Sequence, residues 1–220
     1  MKYLCFFFLI ILSVSCKKDN VEVYNAELLK DYMPIQLGQS NWIYQVKEIR
    51  FNSFTKSIDS SYYQVWESFD TFFIDKLDRS VARFYKYERS NDSANWVFDK
   101  SIYKVVSKDY LEVVENNTRY IKLSFPASVD AIWDENERNN NGQSLLYYAS
   151  IFKPFESLYF SAQKTLEVES DEIKNSFEER FLKAVYGKGI GLMYTKQVDK
   201  KIRQGFFDGF DRTTQLLKVY

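Results

Sequence analysis

Side chains able to run hydrolytic or metal chemistry are thinly supplied in this chain. It contains no histidine, which removes the Ser-His-Asp and Cys-His nucleophile systems, His-ligated zinc and the commonest general base near neutral pH. Its cysteines are Cys5, inside an apolar leader, and Cys16, so the chain beyond residue 16 has neither disulfides nor thiolate ligands. Glycoside hydrolysis by two carboxylates needs no histidine. The 30 Asp and Glu residues keep a carboxylate-dependent hydrolase open as a third reading, but abundance singles out no pair, so no catalytic residue is assigned and the expectation is a protein that is not an enzyme. Asp134, Glu135, Asn136 and Glu137, followed by Asn139-Asn140-Asn141-Gly142, offer hard oxygen ligands without the spacing of a calcium motif. A solvated loop is the preferred reading, and no metal is assigned. Gly187-Lys188-Gly189-Ile190-Gly191 lacks the Walker spacing and reads as a backbone turn at a strand entrance. No cofactor is expected.

Rings are the abundant resource: 17 Tyr, 19 Phe and 4 Trp. Trp66, Trp96, Trp133 and Tyr148 sit beside polar neighbours or near loops, which makes them candidates for stacking against a sugar or lining a lipid site. For any one of them the competing role is to fill the core. Lys plus Arg equals Asp plus Glu at 30 each, so no basic excess exists to attract nucleic acid.

These side chains must be positioned by a sheet, because aromatic and β-branched residues far outnumber the 7 Gly and 3 Pro. Alternation predicts strands over Trp42–Ile49, Tyr62–Phe69, Val81–Arg89, Trp96–Val106, Tyr110–Glu115, Thr118–Phe125, Leu145–Phe152, Leu158–Glu169 and Gly189–Gln197. Asn116-Asn117 reads as a two-residue hairpin turn, and Asp208-Gly209 as the turn of a last hairpin from Lys201 to Lys218. Asp134–Ser144 is polar and aperiodic, a surface loop. Glu178–Tyr186 fits helix and strand about equally, and Ala26–Tyr32 reads as a helical turn ended by Met33-Pro34. The expected fold is mainly β: a strongly curved antiparallel sheet, a partly open barrel with at most one or two short helices. A two-sheet sandwich is the alternative.

The N-terminus carries one lysine, then the apolar run Leu4–Leu12, then Ser13-Val14-Ser15 before Cys16. This is the three-part pattern of a secretory signal over residues 1–15, and its apolar run is too short to span a membrane. Ser13-Val14-Ser15-Cys16 resembles the lipobox of bacterial lipoproteins, although Leu stands at position 12 where the family usually has it one residue later. The resemblance implies diacylglycerol attachment at Cys16, with residues 16–33 as a lipidated tether and 34–220 as one β-rich domain.

Two further phrases, Tyr32-Met33-Pro34-Ile35-Gln36-Leu37-Gly38 leading into Trp42-Ile43-Tyr44, and Ala184-Val185-Tyr186-Gly187-Lys188-Gly189-Ile190-Gly191-Leu192-Met193-Tyr194, resemble a group of Bacteroidota lipoproteins. That likeness implies a β-rich fold and a lipid anchor on the outer membrane, at its periplasmic or cell-surface face, with no agreed activity to carry over. The expectation is a non-enzymatic envelope lipoprotein that binds a hydrophobic or glycan ligand, or a protein partner, at the membrane. A periplasmic lipid or lipoprotein carrier is the second reading; a deep apolar cavity would favour it.

Overall fold

The computed structural model of the chain describes residues 27–35 and 40–220. The expected signal peptide, Cys16, most of the tether and the Gln36-Leu37-Gly38 part of the first phrase lie outside the described residues. The helix is α1 (Glu27–Tyr32), and the strands are β1 (Asn41–Asn52), β2 (Ser57–Ile74), β3 (Ser80–Arg89), β4 (Val97–Val106), β5 (Tyr110–Glu115), β6 (Thr118–Ser124), β7 (Ile132–Asp134), β8 (Leu145–Glu156), β9 (Ser161–Ser170), β10 (Ile173–Lys174), β11 (Glu178–Gly187), β12 (Gly191–Arg203) and β13 (Phe206–Val219). All pair antiparallel in one sheet of order β6-β5-β4-β3-β2-β1-β13-β12-β11-β9-β8-β7, with β10 on β11.

The sheet curls into a nearly closed barrel, and its two ends meet. At the seam the Ile121 amide donates to the Glu135 carbonyl (2.9 Å). Side chains cover two acceptors of the β6 edge: Trp133 Nε1 donates to the Ile121 carbonyl (3.0 Å) and Asn139 Nδ2 to the Arg119 carbonyl (2.6 Å). An uncovered edge is a template for unwanted pairing, and here it is capped without a full partner strand.

Period-two alternation assigns the faces. On β1, Trp42, Tyr44, Val46 and Glu48 point inward and are buried, while Ile43, Gln45 and Lys47 point outward. Inward residues of the neighbouring strands, Val65, Phe84, Ile102, Leu166, Val168, Tyr186 and Leu216, complete one core cluster, and α1 closes the end at which β1 begins by adding Leu29, Tyr32 and Met33. The packed part of the chain therefore includes the helix that precedes Pro34. Toward the opposite end the inner face turns charged. Glu48 is buried and accepts from Arg50, Arg212 and Tyr63, and Glu115 lies between Lys86 and Lys100.

Three local expectations resolve here. Asn116 and Asn117 both have positive φ (50° and 61°) and form the β5–β6 turn. Glu178–Tyr186 is strand β11. Asp208-Gly209, by contrast, is no turn: β12 runs on to Arg203, and the hairpin reverses at Gln204-Gly205, whose φ values of 52° and 76° suit a two-residue turn. Gly209 lies within β13, where a Cβ would stand 2.1 Å from the Asp199 carbonyl oxygen. It is a glycine of close strand approach.

Candidate functional site

The inner face offers a ligand little room. Trp42 packs on Phe84 (ring centroids 5.6 Å apart) and donates its indole N–H to the Ile190 carbonyl (2.7 Å). Lys104 reaches in beside them, its ammonium 4.9 Å and 4.5 Å from the two ring centroids and 2.6 Å from Glu67. A cavity of about 610 Å³ opens beside α1, bounded by Met33, Ile35, Phe72, Ala82 and Val106 but also by Lys30, Asp31 and Lys104. Its mixed lining is no uniform acyl slot.

Two of the four stacking candidates belong to the core. Trp133 and Tyr148 are buried with ring centroids 4.9 Å apart. The indole N–H is committed to the seam, and the Tyr148 hydroxyl donates to the Ser124 carbonyl (2.6 Å). Burial holds that phenol far above its ordinary pKa. Neither ring has a face left for a ligand.

Trp66 and Trp96 come together on the outer face. Trp66 stacks on Tyr87 (5.1 Å, 29° between planes) and touches Trp96 (5.7 Å), and Trp96 carries the Arg89 guanidinium over its ring (4.4 Å). Arg89 in turn ties the β3–β4 loop down through Asp92 (2.7 Å) and Gln64 (2.8 Å). A depression of about 320 Å³ lies against this cluster, lined by Asn41, Ile43, Trp66, Trp96 and Tyr220. Among the described residues, Trp66 Nε1 and Asn41 Oδ1 are buried without a hydrogen-bond partner.

The next residues along β1 and β2 floor a second, larger groove of about 510 Å³. Gln45, Gln64, Thr213 and Gln215 line it together with Lys47 and Tyr62; Ser90–Asp92 and the β8–β9 hairpin residues Leu158 and Tyr159 are also in the lining. That hairpin reaches the outer face because it bends. Phe152 has φ of 56°, the β8–β9 register shifts three times, and Phe155 settles beside Tyr194 (5.9 Å). Tyr62 and Tyr159 are 59% and 45% exposed. Gln45 donates to the Tyr63 carbonyl (3.0 Å) and Gln64 donates to Asp92 (3.1 Å), which fixes both amides. Gln215 Oε1 is buried without a partner among the described residues. Asp92 is the one carboxylate among the described lining residues, and Arg89 holds it. The amides had no signature in the sequence: positions 45, 64 and 215 meet only because β1 lies between β2 and β13.

The glycine run at 187–191 forms the β11–β12 turn. Gly191 (φ 96°) passes beside the Trp42 indole, where a Cβ would come within 3.3 Å of Nε1. The Asp134–Ser144 region binds itself: Asp134 Oδ1 accepts from the Asn136 and Ser144 amides (2.9 and 2.8 Å), and Glu135 accepts from Lys122 (2.5 Å). No group of three metal-ligating side chains occurs among the described residues.

Two solved structures are similar in outline. One, from Bacteroides fragilis and held to be an exported protein with a YmcC-like fold, superposes with a TM-score of 0.46 at 6% identity, covering 83% of this chain and 96% of its own. The other, from Parabacteroides distasonis and held to be a lipoprotein, gives 0.47 at 9% identity, covering 84% and 96%. No protein-family model matches the chain, and no curated protein sequence matches it.

Proposed function

We propose that this chain is an exported, lipid-anchored protein of the bacterial envelope that binds a glycan, without turning it over, in the groove on the outer face of β1, β2 and β13. The carrying observation is the groove's composition: carboxamides from three strands, the Thr213 hydroxyl, and two exposed tyrosine rings. A sugar presents hydroxyls that both donate and accept, and C–H faces that stack on rings. Amides satisfy the first and tyrosines the second. A purely hydrophobic ligand would leave the buried Gln215 Oε1, which has no partner among the described residues, unsatisfied at about 1–3 kcal/mol. The charged, mixed lining of the cavity beside α1 weighs against an acyl-chain carrier, and the single, Arg-held carboxylate in the groove weighs against two-carboxylate hydrolysis. The leader and Cys16 support the envelope address and, within it, the outer membrane.

The test of binding is titration calorimetry with the glycans selected by an array screen, using the Cys16→Ser chain. Tyr159→Ala and Gln215→Ala are each expected to weaken binding by about tenfold, the loss of roughly 1.4 kcal/mol. No glycan bound, or binding indifferent to both substitutions, would overturn this assignment. Separately, Cys16→Ser should move the protein from the membrane to the soluble fraction of cells, and intact-mass analysis of the wild type should show the acyl chains.

A further inference from the structure

We infer that the β2–β3 hairpin is a membrane-contacting edge, so that the barrel stands with its α1 end on the bilayer and its opposite mouth away from it. This rests on the lipoprotein reading above. The hairpin runs past the start of β1: β1 begins at Asn41, opposite Ser68, yet β2 continues to Ile74, paired with β3, before the turn. Along that overhang Phe72, Phe73, Ile74 and Leu77 are all exposed, Ile74 at 63% and Leu77 at 68%. Four large apolar side chains within six residues is a density that a solvated turn does not require.

Their place in the fold says what covers them. Phe72 lines the same cavity as Lys30, Asp31 and Met33, so the hairpin and α1 share one end of the barrel. The chain enters at that end. Ten residues separate Cys16 from Glu27, and fully extended they reach about 35 Å. An anchor at Cys16 therefore keeps the α1 end within about 35 Å of the headgroups and makes it the nearer mouth of the barrel. For the opposite mouth to touch lipid, the tether would have to run back along the barrel for most of that reach. Lys76, exposed between Ile74 and Leu77 and, like the exposed Asp78, outside every ion pair among the described residues, lies where a shallow apolar insertion meets the headgroup layer. The opposite end gathers fewer large apolar side chains in one stretch: Phe54 stands on the β1–β2 turn, and Phe177, before β11, lies beside Ile202, whose amide donates to its carbonyl (2.6 Å).

The experiment fixes the anchor by other means. The chain from residue 16 onward, with Cys16→Ser and a histidine tag at its N-terminus, is held on phosphatidylcholine–phosphatidylglycerol vesicles containing nickel-chelating and doxyl-labelled lipids. A polarity-sensitive fluorophore is placed on Leu77→Cys or, at the far end, on Phe177→Cys. The label at 77 is expected to shift to shorter wavelength and lose roughly half its intensity to the doxyl groups, as insertion of about 5–10 Å implies. The label at 177 should stay unquenched, and adding Phe73→Ser with Ile74→Ser should abolish the effect at 77. Quenching at neither position, at both alike, at 177 alone, or at 77 undiminished by the serines would each overturn the orientation. Because the tag replaces the lipid, a missing acyl chain on native Cys16 would refute the anchor without touching this result.

Discussion

The two faces of β1 are built to opposite specifications. Inward, Trp42, Tyr44, Val46 and Glu48 are buried to within a few per cent and meet rings, aliphatic chains and a fully engaged carboxylate. Outward, Gln45 and Lys47 line a groove with further amides and exposed tyrosines, where Gln215 Oε1 has no partner among the described residues. One strand thus carries both the stability of the barrel and the recognition proposed for it, one residue apart. The difference teaches that substitutions at even positions of β1 and their cross-strand neighbours should be read out as stability, and those at odd positions as binding.

The sharpest test of that rule is at Phe84, fully buried against Trp42, Phe69 and the Lys104 ammonium. Phe84→Ala should lower unfolding free energy by about 3–5 kcal/mol in denaturant titration, and glycan affinity of the fraction still folded should not change. Glu48 comes next. Its carboxylate is penalised by burial, yet hydrogen bonds from Arg50 and Arg212 outweigh this and lower its pKa below 4.5. Glu48→Ala would leave those guanidiniums unpaired at a cost of about 3 kcal/mol, the lower end for a broken buried pair because Arg50 is largely exposed.

The same group sets an acid limit. Glu115, likewise penalised by burial and more than compensated by Lys86 and Lys100, also has a lowered pKa. With folded pKa values below the unfolded value of 4.5, both carboxylates contribute stability that is fully present above that pH and fades as pH falls through their folded values. Melting temperature should thus be flat from neutrality to about pH 5 and decline below it, and in Glu48→Gln the decline should be shallower. Trp133→Phe keeps one aromatic ring but removes the seam donor and part of the buried indole, which should cost about 1–3 kcal/mol. The smallest effect is at Tyr44, whose buried hydroxyl has no partner among the described residues. Tyr44→Phe should be neutral or stabilising by up to about 1 kcal/mol in thermal melts. A clear loss there would mean the inner face is less completely apolar around Tyr44 than described.

How much of this was legible beforehand follows from the same two faces. Where one face is buried and the other solvated, as at Trp42–Ile49, alternation in the sequence located the strand to within a few residues. It failed for Glu178–Tyr186 because Ala184, Val185 and Tyr186 are all buried: Val185 lies opposite Tyr194, which the bent hairpin covers through Phe155, and a strand covered on both faces loses its period. The last hairpin was misplaced because Asp-Gly is a strong turn signal, whereas the Gly209 position is fixed by its distance to Asp199, which only the folded pairing reveals. Trp66 and Trp96 could be listed as candidates but not joined, and the groove amides carried no local signal at all. Their assembly depends on the strand order and on the bend at Phe152.

The seam between β6 and β7 has a consequence for how the molecule yields. Every other junction of the barrel is a ladder of several backbone bonds, whereas this one holds by the Ile121 amide and a few side chains. Opening should begin there, so the Ile121 amide proton should exchange with solvent at a lower free-energy cost than those of β1 and β13. An opened seam would bare two strand edges of the same molecule, each able to accept the other's counterpart from a second copy. Trp133 and Asn139, which cap the β6 edge, are then guards against strand exchange between copies.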